Sequence, residues 1–172
     1  QGQAFYDAVV IYSLRQGIIR SLTLGVTGFE TPGSVNAMND LKAFQIGIET
    51  LDGFYSDLNL EEITDKINVT SFEEFNRYQY MVEVVNPMIA RLEEYRAKQG
   101  IESMEEMSAK PLHINSTSSN LFADDFFNVY AFMNLPKSAN DSLEIEIGKK
   151  LFHDPSWSGT GQVSCGSCHQ PH

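Results

Sequence analysis

Apolar residues recur along this chain at helical rather than strand spacing. Val10, Leu14, Ile18 and Leu22 fall every four positions, and Phe5, Val9 and Tyr12 widen the stripe. This predicts a helix over 5–24 with one buried face, closed by the turn-rich loop of Gly25, Gly28 and Thr31-Pro32-Gly33. Over 34–58, Leu41, Phe44, Ile48, Leu51, Tyr55 and Leu58 alternate steps of three and four, the seam of a bundle helix. A matching seam, Phe75, Tyr78, Val82, Val85, Ile89 and Leu92, marks a helix over 71–98. The capping signature Ser71-Phe72-Glu73-Glu74 opens it and Gly100 stops it. Pro87 lies inside that run, which predicts a kink near Asn86 or two helices.

Shorter pieces fill the rest. Asn59-Leu60-Glu61-Glu62 reads as the N-cap of a brief helix to about residue 67. Residues 101–135 are less regular: Pro111 and the polar run Asn115 to Asn120 read as an ordered loop, and Leu121, Phe122, Phe126, Phe127, Tyr130 and Met133 as a short aromatic-rich helix, mostly core, ended by Pro136. Asp141-Ser142-Leu143-Glu144 opens a last helix, broken at Asp154-Pro155. No strand alternation and no internal repeat is visible. The expected architecture is all-α: a helical bundle over 1–137, then a distinct short module over 138–172.

Composition narrows the function classes. With 42% hydrophobic and 20% charged residues in 172, the chain reads as globular. Twelve Lys and Arg against 23 Asp and Glu give a net charge of −11, which argues against nucleic acid and anionic membrane surfaces as partners and suits a basic partner protein. No apolar run approaches a membrane span. The chain opens at Gln1 with no signal-like stretch, and is read as a processed or excised piece, as a mature secreted protein would be. Glu61-Glu62, Glu73-Glu74, Glu93-Glu94 and Glu105-Glu106 read as solvated helix faces, and Asp124-Asp125 as a cap or ion site. Asn68, Asn115 and Asn140 head N-glycosylation acceptor patterns, idle in a bacterial protein.

The chemistry concentrates at Ser164-Cys165-Gly166-Ser167-Cys168-His169. Cys-x-x-Cys-His is the c-type haem attachment pattern. Two cysteines three apart reach the two vinyl groups on one porphyrin edge, and the adjacent histidine ligates iron from below. On that reading Cys165 and Cys168 carry the thioethers and His169 is the proximal ligand. A zinc site using Cys165, Cys168 and His172, a reactive dithiol, or a plain Cys165–Cys168 disulfide stay open on the pentapeptide alone. A sixth iron ligand is sought upstream at Met133 or His113, on another chain, or further along the protein.

The surroundings add a resemblance. Ile147-Gly148-Lys149-Lys150-Leu151-Phe152-His153-Asp154-Pro155, then Ser158-Gly159-Thr160-Gly161, then Val163-Ser164-Cys165-Gly166-Ser167-Cys168-His169 resembles the opening of the bacterial dihaem cytochrome c peroxidases, with the relatives of the methylamine-dehydrogenase maturation enzyme. His153 stands where that family usually has an aromatic residue, and Trp157 where it has leucine; His153 reads as a helix-terminal or surface histidine. The segment with Leu24-Gly25-Val26-Thr27-Gly28-Phe29 is similar to a helical, partly imelysin-like extension, but the imelysin Gly-x-His-x-x-Glu pattern is absent, so no metal site is carried over.

The resemblance implies that residues 138–172 begin a cytochrome c-type domain bearing covalent haem c. It implies the N-terminal portion of a periplasmic enzyme that reduces hydrogen peroxide with electrons from a small donor cytochrome or another periplasmic redox protein. A second haem, calcium and the residues acting on peroxide would lie downstream. A pure electron-transfer module and a haem-free helical interaction domain are the alternatives.

Overall fold

The structure, a computed structural model, describes residues 2–30, 32–33, 36–55, 57–133 and 142–169. It is all-α: α1 (Gly2–Arg20), α2 (Ala37–Asp52), α3 (Glu61–Thr64), α4 (Arg77–Tyr80), α5 (Asn86–Lys98), α6 (Met104–Met107), α7 (Val129–Met133) and α8 (Ser142–His153). Among the described residues, β pairing is confined to one isolated antiparallel bridge, Ile114–Phe127. The chain forms two compact units, Gln1–Val129 and Tyr130–His172. The expected boundary after residue 137, the Pro136 stop, the Asp141 cap and the Asn140 acceptor lie outside the described residues.

In the first unit α1 buries Ala8, Ile11, Leu14, Ile18 and Ile19, and α2 and α5 contribute Leu41, Ile48, Met88, Ile89 and Leu92. The buried face of α1 is rotated from the expected one, since Val10 and Leu22 are only half-buried. Residues 8–12 are apolar all round, so their spacing admits more than one face and packing selects among them. Helix α2 ends at Asp52, short of the expected residue 58. The Asp52 carboxylate then accepts from the backbone N–H of Leu60 (2.9 Å) and Glu61 (3.1 Å), capping α3 in place of the expected Asn59. Asn59 instead takes a left-handed backbone, φ 51°. Leu58 and Leu60 are fully buried from this non-helical stretch.

The third helix also starts later than its capping signature implies. Ser71 and Glu74 do bond reciprocally, but within a turn. The working N-cap is Asn76, whose Oδ1 accepts from the Gln79 N–H at 3.0 Å. Phe75 therefore precedes the helix, and the expected seam loses phase. Tyr78 is 71% exposed and Tyr80 is buried in its place. At Asn86 the backbone stays right-handed helical, and the expected helix is divided into α4 (Arg77–Tyr80), a π-helical turn and α5. Met81–Val85 widens into that π-helical turn, and the Asn86 N–H reaches back to the Met81 carbonyl. Pro87 has no N–H to give and crowds the preceding turn; the wider turn absorbs both effects.

A second π-helical turn, Ser21–Gly25, follows α1. The two are joined where Ser21 Oγ and the Tyr80 hydroxyl lie 2.7 Å apart in the core. Burial pushes the Tyr80 phenol up to about 12, against the partly offsetting hydrogen bond from Ser21. A raised folded-state pKa means that this contribution to stability is complete below pH 10 and is lost as pH rises through about 12. At roughly 1.36 kcal/mol per unit, about 2–3 kcal/mol disappears across that window. Denaturant titrations at stepped alkaline pH should show the decline in the native chain and a shallower one in Tyr80→Phe.

Residues 101–128 depart furthest from expectation. The aromatic helix is confined to Val129–Met133, and residues 121–126 form turns. Phe126 alone of the aromatic cluster is fully buried; Phe122 and Phe127 stay exposed. Helix α6 begins with a capping box in which Ser103 and Glu106 satisfy each other's backbone N–H groups. Its neighbour Glu105 accepts from the Ser116 backbone (2.6 Å) and hydroxyl. Glu93 grips the Arg96 guanidinium with both oxygens at 2.8 Å. Glu93, Glu105 and Glu106 are thus structural ties rather than simply solvated carboxylates. Asp125 accepts from the Asn115 amide at 3.0 Å, the same residue whose Oδ1 caps Thr117. These ties hold a loop that carries too little apolar periodicity to be read from sequence.

Candidate functional site

The second unit is built to present one short turn. Helix α8 ends at His153 because Asp154 is extended and Pro155 follows. The Asp154 carboxylate accepts from the Ser156 N–H at 2.9 Å, capping the 3-10 turn Pro155–Trp157. That backbone hydrogen bond holds its carboxyl below the usual range. Ser158 then ties the loop. Its hydroxyl donates to the Pro155 carbonyl (2.9 Å) and accepts from the Val163 N–H (3.3 Å). Gly161, bonded to the Ser158 carbonyl at 3.0 Å, has φ 66°, a backbone that favours glycine. The Asp-Pro and Ser-Gly elements of the sequence thus have a local purpose: they return the chain from α8 to the cysteines.

Cys165–Ser167 is a second 3-10 turn. The Ser164 N–H donates to Ser167 Oγ at 3.0 Å, and the two hydroxyls lie 3.2 Å apart. The Cys165 carbonyl collects two donors, the N–H groups of Cys168 (3.3 Å) and His169 (3.0 Å). One carbonyl therefore sets where both the second cysteine and the histidine leave the backbone. Cys165, Cys168 and His169 are all exposed, and both thiols are free. The disulfide alternative is not what the turn adopts.

Other sequence-predicted positions are elsewhere. Among the described residues no group of three or more His, Cys, Asp or Glu side chains converges to hold a metal ion, Asp124 and Asp125 included. His172, the remaining ligand of the zinc alternative, and the Met133 side chain lie outside the described residues. His113 is an exposed residue of the first unit whose carbonyl accepts from Asn128 at 2.9 Å. No described helix is long and apolar enough to cross a membrane.

Two features of the second unit escape a reading of the motif alone. One face of α8 is apolar and uncovered: Leu143, Ile147 and Leu151 recur every four residues and are 45–64% exposed. Trp157 and Val163 extend this exposed apolar surface along the chain. The other is a close approach between the end of α8 and Gly166, inside the cysteine motif. The face of α8 is legible as spacing; the Gly166 contact joins residues thirteen apart through a folded loop and leaves no periodic signal.

No curated protein sequence and no solved structure matches the chain. Residues 142–172, the segment that forms α8, its returning loop and the cysteine turn, match the model of a family described as di-haem cytochrome c peroxidase.

Proposed function

We propose that Cys165, Cys168 and His169 attach a haem c, and that the protein is a periplasmic peroxidase of the dihaem type, reducing hydrogen peroxide with electrons from a small cytochrome. The observation that carries this reading is the display of two free thiols and an imidazole on and directly after one 3-10 turn, within the segment that matches the family model. The donor set suits the group. A structural metal ion needs ligands converging on one point, whereas a haem needs two thiols at the porphyrin edge and one imidazole at its centre.

Each thiol adds across a vinyl double bond: sulfur bonds to one vinyl carbon, the thiol hydrogen goes to the other, and no electrons are gained or lost. His169 offers a ring nitrogen to iron. The exposed apolar side chains of α8, with Trp157 and Val163, are the kind of surface a porphyrin or a further apolar layer covers. When bound, haem supplies the one-electron chemistry that these side chains lack. The net reaction consumes one peroxide, two electrons and two protons and yields two waters. Covalent haem attachment belongs outside the bacterial cytoplasm, which places the protein in the periplasm on this reading. Calcium and a second haem would belong to other parts of the protein.

The test is peroxide-dependent oxidation of a reduced small cytochrome c by the haem-loaded protein, followed at the donor's visible band. Turnover in proportion to added peroxide supports a peroxidase. Reversible electron exchange with the donor and no response to peroxide would leave an electron carrier.

A further inference from the structure

Gly166 is half-buried, while Cys165, Cys168 and His169 on either side of it are exposed. The turn therefore has a back and a front. Its back rests on the end of α8. A methyl group at Gly166 would sit 2.5 Å from Nδ1 and 2.7 Å from Cε1 of His153, and 3.3 Å from Cε1 of Phe152. The first two distances are well inside van der Waals contact, so the His153 ring, itself exposed, would have to shift before a side chain fitted at Gly166. Phe152 and His153 meet edge to face, centroids 5.2 Å apart at 87°. Gly166 is not among the residues with positive φ, so its backbone does not call for glycine. The neighbouring imidazole does.

We infer that His153 is a positioning residue for haem attachment: its ring, flanked by Phe152, is the seat against which the backbone of the Cys-x-x-Cys turn rests at Gly166, keeping Cys165, Cys168 and His169 turned outward. This rests on the attachment reading above. It gives a function to the histidine that the sequence suggested was merely helix-terminal. The seat acts by shape and contact, so a ring is required at residue 153 and a ring nitrogen is not.

Two measurements on the full chain test the seat. In the haem-free protein, a nuclear Overhauser contact between the Gly166 α-protons and the His153 ring proton on Cε1 is expected; its absence overturns the seat whatever haem does. The second measurement is the haem-bearing fraction by intact mass after co-expression with a c-type attachment apparatus. Gly166→Ala should lower that fraction at least about fivefold, as overpacking a filled contact does. The double variant Gly166→Ala with His153→Ala should lose no more haem than His153→Ala alone, because the clash is gone once the seat is missing. His153→Phe should attach haem like the native chain and keep its visible spectrum. Additive losses in the double variant, or a His153→Phe as defective as His153→Ala, would refute the seat. A native chain that shows the Overhauser contact but takes no haem would instead sink the attachment reading and leave the contact as packing alone.

Discussion

Replacing Cys165 and Cys168 together by serine abolishes covalent haem and leaves the helical unit as stable as before. Both thiols are free and exposed, so their removal falls among surface substitutions worth within about 0.5 kcal/mol. Each single replacement leaves one thioether position and so a weaker, incompletely attached product. His169→Ala is a separate case: both thioethers can still form, but iron loses the ligand nearest its attachment, and the visible spectrum changes while the mass of the adduct does not. Mass spectrometry, visible spectra and a denaturant titration on these variants separate attachment, ligation and folding. Equal haem content in the double serine variant would show that the turn is not the site.

Arg15→Ala should be the most damaging change in the first unit. Arg15 is 2% exposed, in the middle of the apolar face of α1. Its Nη2 donates to the carbonyls of Asn115 (2.9 Å) and Ser118 (2.7 Å), a hundred residues away, and its guanidinium lies 5.4 Å from the centroid of the buried Phe126 ring. Burial pulls its pKa down, partly offset by the nearby carboxylates of Glu93 and Glu105. One side chain thus fastens to α1 a loop with little apolar content of its own. Truncation removes two charge-assisted hydrogen bonds, takes the Arg15 donor from the Ser118 carbonyl and opens a cavity, offset in part by relief of the buried, unpaired Nε and Nη1, together costing about 2–4 kcal/mol. Arg15→Lys should recover only part, since an ammonium does not reproduce the planar fork. Chemical denaturation measures both; a loss below about 1 kcal/mol for Arg15→Ala would mean the loop is held by other contacts.

The sequence conveyed most where apolar and polar positions separate cleanly. Leu41 and Ile48 are buried as the α2 seam requires, as are Val85 at the end of the π-helical turn and Ile89 and Leu92 of α5. It conveyed less where a boundary depends on a cap. Asn59 and Ser71 carry capping patterns, yet Asp52 and Asn76 do the capping: the distant Asp52 takes the N–H groups at the start of α3, and the chain turns at Ser71 and becomes helical only after Asn76. The Ser103–Glu106 box was readable from its spacing and went unread among acidic pairs. Arg15 was beyond reach: no periodicity places a cation in a core whose partners are carbonyls a hundred residues on. At the candidate site the chemistry of Cys165, Cys168 and His169 was written in five residues. Its support, from His153 and Gly166, was not, since only the folded loop brings them together.

The central claim is that this turn carries haem. Intact mass and a visible spectrum on one sample of the natively expressed protein test it most directly. The expected result is a mass above that of the polypeptide by covalently bound haem, traced to the peptide holding Cys165 and Cys168, together with a Soret band. A mass equal to the polypeptide, with no Soret band, would contradict it.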